Sequence, residues 1–372
     1  MIGTERISGR QLLALVFILH STVVISILPS ITTADSLQDA WISTLVALVL
    51  VSVIAFFITG LTARFPREDM VQFSIRLLGP YFGRAVSLVY LWLFLQIAAQ
   101  EARFYADVLI SGFLTVTPIS FIIIVMVFAS AVAAICGLEV IARVADLLFV
   151  LILILVISTL LTGLPKADFS LIQPVLSRGW GPVGRGAVVP TAMAVQLGSI
   201  MYLTPHLVRP QRVRAWVLGG VILAFVSMTL FSLVTVAQLG PIETSRSLFP
   251  VIRMVRSVRI SSFLDRVEAI TVFAWGLGLF IALSTYITLG ARGMARIFGL
   301  SNYRPLVPPM AVIWVVLSIH MAKDIFHMRE LLLYRYIGPI LLTLLLAPLV
   351  VLWLAWFLSP AGRKAKKTDE GR

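Results

Sequence analysis

FILHSTVVISILPS, Phe17 to Ser30, places a histidine, a serine and a threonine at the centre of an apolar run and a proline near its end. The run extends from Gln11 to Ile31, close to the length of about 20 residues that a helix needs to cross the hydrocarbon core. Polar side chains at that depth are costly, so they face neighbouring helices or a wet cavity. Ser21 and Thr22 can return hydrogen bonds to their own helix, and a continuous helix with a buried histidine is then one reading. The other is an interrupted helix, in which His20, Ser21, Thr22 and Val23 lie beside freed main-chain groups that bind a ligand.

A second run shows the same pattern. AVVPTAMAVQLGSIMYLTPHL, Ala187 to Leu207, carries Gly198 and Ser199 near its centre, Gln196 just before them and Pro205 at its end. These are the first and sixth of ten apolar runs. Five spans per half invert the second half relative to the first, so two interrupted helices at matching positions meet near the midplane. Small residues also serve close helix packing, which remains the alternative for Gly198 and Ser199.

Composition agrees with a membrane setting. The 372 residues are 59% hydrophobic and 13% charged, with a mean hydropathy of +1.01, too apolar for a soluble globular domain. The spans are expected at Gln11–Ile31, Asp39–Leu61, Arg84–Phe113, Pro118–Cys136, Ile141–Gly163, Ala187–Pro205, Val213–Leu239, Leu264–Leu289, Leu306–Ala322 and Tyr336–Leu358. The fold expected is thus an all-α polytopic membrane protein of ten helices, a 5+5 inverted repeat with discontinuous helices one and six. Its parts are a first repeat at 1–163, an outer connection at 164–186, a second repeat at 187–359 and a basic tail at 360–372.

The net charge of +13 comes from basic residues scattered over the loops, not gathered in a patch with aromatics, which argues against nucleic acid as a partner. Lys and Arg flanking the spans number 18 on the side of the N-terminus and 11 on the other, an excess that puts both termini in the cytoplasm. In the outer connection before span eight, PVIRMVRSVRISSF repeats arginine every third residue opposite Ile252, Val255 and Val258. This predicts an amphipathic helix near 250–263 lying in the interface, with a docking surface for a partner as the alternative reading. The tail, GRKAKKTDEGR, reads as disordered and drawn to anionic lipid.

The third span holds LWLFLQIAAQEARFYADVL, Leu91 to Leu109. Gln96, Gln100, Arg103 and Asp107 share one helical face, with Glu101 and Tyr105 pointing elsewhere. Arg103 can neutralise Asp107 one turn on. Either the stripe only glues the bundle, or Gln96, Gln100 and Glu101 line a vestibule to a mid-membrane site. Ser284 in span eight could reach a ligand, and packing is its alternative. WGLGLF in that span reads as packing, Arg143 and Asp146 as a structural pair, and Cys136, the single cysteine, as a packed, inert thiol. His20, His206, His320 and His327 lack metal-ligand spacing, and no phosphate-binding loop or nucleophile elbow occurs, so neither enzyme chemistry nor a cofactor is expected.

Several segments in order resemble one family. They are ISGRQ at Ile7, the proline closing span one followed by DAWIS at Asp39, ARFPRED with LGPYFGR after span two, EVIARVADLLF entering span five, LIQPVLSRGWGPVGRGA before span six and FLDRVEAITVFAW entering span eight. Together they look like the spore germination permeases, the polytopic B subunits of nutrient germinant receptors, within the amino acid, polyamine and organocation transporter superfamily. The resemblance implies a leucine-transporter-like fold in the inner membrane of a dormant spore and binding of a small nutrient, often an amino acid. It also implies partnership with a membrane-anchored A subunit and a C lipoprotein; the alternative is an autonomous proton- or sodium-coupled amino acid permease. Two positions depart from the family pattern. Thr22 and Val23 stand where a glycine is expected, and Ser199, Ile200 and Met201 stand where an acidic residue is expected.

Overall fold

A computed structural model describes residues 5–21, 27–257, 267–332 and 337–358. The helices are α1 (Gly9–Ser21), α2 (Leu28–Ser36), α3 (Ala40–Thr62), α4 (Met70–Gly112), α5 (Ile119–Cys136), α6 (Leu138–Gly163), α7 (Trp180–Ala192) and α8 (Ile200–Leu203) in the first part of the chain. The rest are α9 (Val213–Leu239), α10 (Pro241–Arg246), α11 (Pro250–Arg256), α12 (Val267–Ile297), α13 (Val307–His320), α14 (Ile325–Leu332) and α15 (Ile337–Leu358).

Among the described residues eight helical stretches are long and apolar enough to cross a membrane, or nine if α13 and α14, bent 98° apart, form one span. The first expected span corresponds to α1 and α2, and the interruption expected there, with Thr22 and Val23, falls on residues outside the described ones. Leu37, at φ 49°, turns the chain sharply from α2 toward α3. The ninth expected span ends at His320 and bends away.

Local chemistry sets the boundaries. Asp69 and Gln72 form a reciprocal capping box that starts α4, satisfying two main-chain donors that an open helix end would leave bare. Gly79, at φ 80°, then kinks α4 next to Pro80, a conformation that costs glycine little and other residues more. Spans at matching positions of the two halves lie against each other: α3 on α9, α4 on α12, α5 on α13, and α2 on α7. The membrane-crossing windows of Trp180–His206 and α12 are 89% and 78% buried, against 28% for both α6 and α15. Spans six and eight are therefore the inner layer, and α6 and α15 present their apolar faces to lipid.

Three local expectations change. Arg143 pairs with Glu139, while Asp146 pairs with Arg10 at 2.8 Å; one helical turn offered Arg143 two carboxylates, and the upstream one prevails. Cys136 is exposed at the end of α5. Helix α11 does carry exposed Arg253 and Arg256, yet Val251, Ile252, Met254 and Val255 are buried against α6, α9 and α12. Its apolar face is thus satisfied by protein. Residues 258–263 of that segment lie outside the described ones.

Candidate functional site

Span six does not unwind. Its α-helix ends at Ala192, and Met193–Ser199 continues as a 3-10 helix before α8 resumes the α-helical pattern. A 3-10 helix is narrower and longer per residue, so this stretch turns its side chains through a different angle from a regular helix. Within it Gln196, 2% exposed, donates from Nε2 to Oε1 of Glu101 on α4 at 3.1 Å. Glu101 is itself only 2% exposed. A carboxylate at this depth is costly unless hydrogen-bonded, and the link joins spans from opposite halves.

Beside the pair lies a small cavity of about 40 Å³, lined by Gln100, Glu101 and Gln196 with apolar walls that include Ile97, Met193 and Leu341. That is room for water-sized occupants, far below the roughly 300 Å³ of a typical ligand pocket. Gln96 is half-buried and does not line it.

The other described site residues expected from the sequence, His20, Ser21, Gly198, Ser199 and Ser284, do not line this cavity. His20 is buried and its Nδ1 lies 2.8 Å from the carbonyl of Val16, while its Nε2 and the hydroxyl of Ser21 have no hydrogen-bond partner among the described residues. Gly198 is a close-approach position: a Cβ there would sit 2.7 Å from the ring of Tyr90. Ser199 donates to the carbonyl of Gln196, and Ser284 to that of Phe280, each within its own helix. Neither hydroxyl is turned outward.

Sequence reasoning passed over the aromatic wall. Phe94 stacks on Tyr286 at 5.7 Å and meets Tyr202 edge-on at 5.6 Å, and the buried hydroxyl of Tyr286 has no partner among the described residues. Tyrosines spaced among leucines carry no distinguishing signal of their own. The stripe on α4 splits. Arg103 holds Asp107 at 3.1 Å and also donates to the carbonyls of Ile319 and Ala322 at 2.8 and 2.9 Å. The expected neutral pair therefore also closes the end of α13, where main-chain carbonyls have no helical partner.

At the end of the bundle that carries Gly9, the chain is closed by a charged network that the sequence did not single out. Ile7 donates to the carbonyl of His206 at 2.8 Å, and Val208 to that of Ile7 at 3.1 Å, a short parallel bridge between the chain entering span one and the chain leaving span six. Arg292 of α12 pairs with Glu5 and reaches His206 Nε2 at 3.3 Å, and Arg296 pairs with Asp69 at 3.1 Å. The groups come from four distant parts of the chain. Among the described residues no cluster of His, Cys, Asp or Glu could hold a metal ion.

Comparison with known proteins agrees with this architecture. By structure the chain is similar to Mhp1, a nucleobase-cation-symport-1 family transporter in a closed conformation with bromovinylhydantoin bound, at a TM-score of 0.65 and 13% identity, covering 88% of this chain and 75% of that one. It is similar also to MhsT in complex with L-phenylalanine, at a TM-score of 0.64 and 15% identity, covering 95% and 99%. The fold is that of the leucine-transporter-like carriers. Among curated proteins, spore germination protein KB of Bacillus subtilis (strain 168) is 26% identical over 343 residues, 87% of this chain and 88% of its own. Spore germination protein YndE of the same organism is 26% identical over 273 residues, 72% and 74% of the two chains. The profile described as spore germination protein matches residues 6–325, and the chain belongs to that family of spore germination permeases.

Proposed function

We propose that the chain is the solute-sensing subunit of a nutrient germinant receptor in the spore inner membrane, binding a small nutrient, an amino acid, at mid-membrane and so triggering germination. The observation that carries this reading is the Glu101–Gln196 hydrogen bond across the two halves, on the wall of a small cavity between these spans. The missing acidic residue after Gly198 is made good one helix away: Glu101 supplies the anionic partner for an ammonium group. Main-chain donors near Ser21 take the ligand carboxylate, as discontinuous helices do in this fold.

A 40 Å³ cavity cannot enclose an amino acid, so binding requires spans one and six to part. A ligand that binds the parted conformer better shifts the population toward it by that difference in affinity, and the A and C subunits read the shift. Both termini lie in the cytoplasm, by the excess of basic residues on their side, and the Glu5–Arg292–His206 network then closes the cytoplasmic end.

The test is the melting temperature of the purified protein across a panel of amino acids. One of them raises it, and Glu101→Gln or Gln196→Leu removes the rise. Unchanged melting with every solute would overturn the reading. The fold likeness to carriers favours a second one, an autonomous ion-coupled permease. Gradient-dependent uptake by proteoliposomes holding this chain alone would select it.

A further inference from the structure

Helix α4 starts at the charged network, where its cap Asp69 pairs with Arg296, and its last turn borders a cavity at the opposite end of the bundle. The cavity lies between that turn and the chain from Ser247 to Arg256, and holds about 320 Å³ against about 40 Å³ beside Glu101. That is the size of a small-molecule site, roughly 300–1,000 Å³. Val108, on its wall, follows Glu101 by seven residues. The two residues therefore share one face of α4, about 10 Å apart along its axis.

Among the described residues the charged groups on this wall are both cationic, Arg253 and Arg256. Arg253 pairs with Glu243, and Arg256 donates from Nε to Glu268 at 3.3 Å, but neither glutamate lines the cavity. A guanidinium carries five N–H groups. One nitrogen of each is engaged by its glutamate, and the other N–H groups have no acceptor among the described residues. The ion pairs thus orient both side chains without exhausting their donors. Arg256 crosses from α11 to the end of α4, where its guanidinium carbon lies 5.7 Å from the ring centroid of Phe113. Gly112 permits the crossing, since a Cβ there would sit 2.7 Å from Nη2 of Arg256. Phe113, Phe249 and Ile252 make much of the remaining wall apolar.

We propose that this cavity binds a small organic carboxylate with an apolar tail, the carboxylate on Arg253 and Arg256 and the tail against Phe113, Phe249 and Ile252. Carboxylate oxygens accept charge-assisted bonds of about 2.8 Å from a guanidinium, whose planar fork matches their geometry. An inorganic anion would satisfy the same donors and leave the apolar wall bare. The site stands apart from the nutrient reading. A carboxylate without an ammonium group offers nothing to Glu101, so its binding reports on this cavity and not on the one beside Gln196.

The experiment follows the melting temperature of the full chain in a neutral detergent during titration with isovalerate, isovaleramide or inorganic phosphate. Isovalerate raises it in a saturable way, and the other two do not. Arg253→Gln, which breaks only an exposed ion pair, weakens the apparent affinity for isovalerate about tenfold. Ser247→Trp fills the cavity with both charges kept and abolishes the response. Arg246→Gln, also exposed but off the cavity wall, has no effect. An equal shift with isovaleramide would show that the arginines do not select a carboxylate, and an equal shift with phosphate that the apolar wall selects nothing; either overturns the assignment. Unaltered affinity in Arg253→Gln and Ser247→Trp would put the bound carboxylate elsewhere, and an equal loss in Arg246→Gln would reduce the effect to net charge. Both results overturn the site, as does the absence of any shift with isovalerate.

Discussion

Glu101 on α4 and Gln196 in the 3-10 turn of span six, 95 residues apart, share a hydrogen bond of 3.1 Å inside the bundle. Glu101→Gln preserves an acceptor of the same shape, so it changes stability by no more than about 1 kcal/mol, the scale of interhelical polar bonds in membranes. The same change removes the charge meant for a ligand ammonium. The expected outcome is near-normal melting without ligand and loss of the nutrient-induced shift. Gln196→Leu, by contrast, removes the hydrogen bond that ties span six to α4 and lowers the unliganded melting temperature as well.

Arg103 is the structural counterpart. It serves Asp107 and two carbonyls at the end of α13, with Arg103 and Asp107 5% and 4% exposed. Arg103→Met strands a buried carboxylate and is expected to cost about 3–5 kcal/mol. The double variant Arg103→Met with Asp107→Leu recovers part of that loss, and a double-mutant cycle on thermal melting measures the coupling. Additive losses would show that the two side chains act separately.

Where a residue's partner lay one helical turn away, the sequence usually revealed it: the Arg103–Asp107 pair follows from spacing alone. The same rule misassigned Arg143 to Asp146, because Glu139 stood at equal helical reach upstream and Arg10, far away in sequence, took the remaining acid. Apolar run lengths gave most span limits within a few residues. They could not show that α11 would bury its apolar face in protein, since lipid and protein interiors select the same residues. Gly198 illustrates the limit at the site. A glycine in a membrane helix permits either a break or a close approach, and only the position of Tyr90 decides between them.

That close approach gives the third prediction. A methyl at Gly198 would lie 2.7 Å from Cδ1 and 3.1 Å from Cε1 of Tyr90, whose hydroxyl is tied to the carbonyl of Leu345 at 2.9 Å. The ring cannot swing aside without giving up that bond. Gly198→Ala is expected to cost about 1–3 kcal/mol through overpacking, and Tyr90→Leu to restore part of it. Gly60→Ala, where the added methyl meets its nearest atoms at 3.4–3.6 Å, serves as the control and leaves melting unchanged.

The closed end of the bundle offers a kinetic test. Glu5, His206 and Arg292 draw the segment before α1, the end of span six and the end of α12 together, so any conformer that opens there must separate them. Arg292 is 8% exposed, and its charge beside Glu5 holds the closed arrangement more strongly than a surface pair would, because solvent screens it less. Arg292→Gln therefore shifts the population toward the open form. In a background with the exposed Cys136 replaced by serine, a cysteine introduced at Ser199, fully buried in the closed chain, is labelled by a water-soluble thiol reagent several-fold faster when Arg292→Gln is present. Glu5→Gln gives the same acceleration, since either change removes the same attraction. Arg296→Gln, which breaks only the more exposed pair with Asp69, produces a smaller one. Equal labelling rates in all four chains would show that the network braces the loops without controlling access to span six.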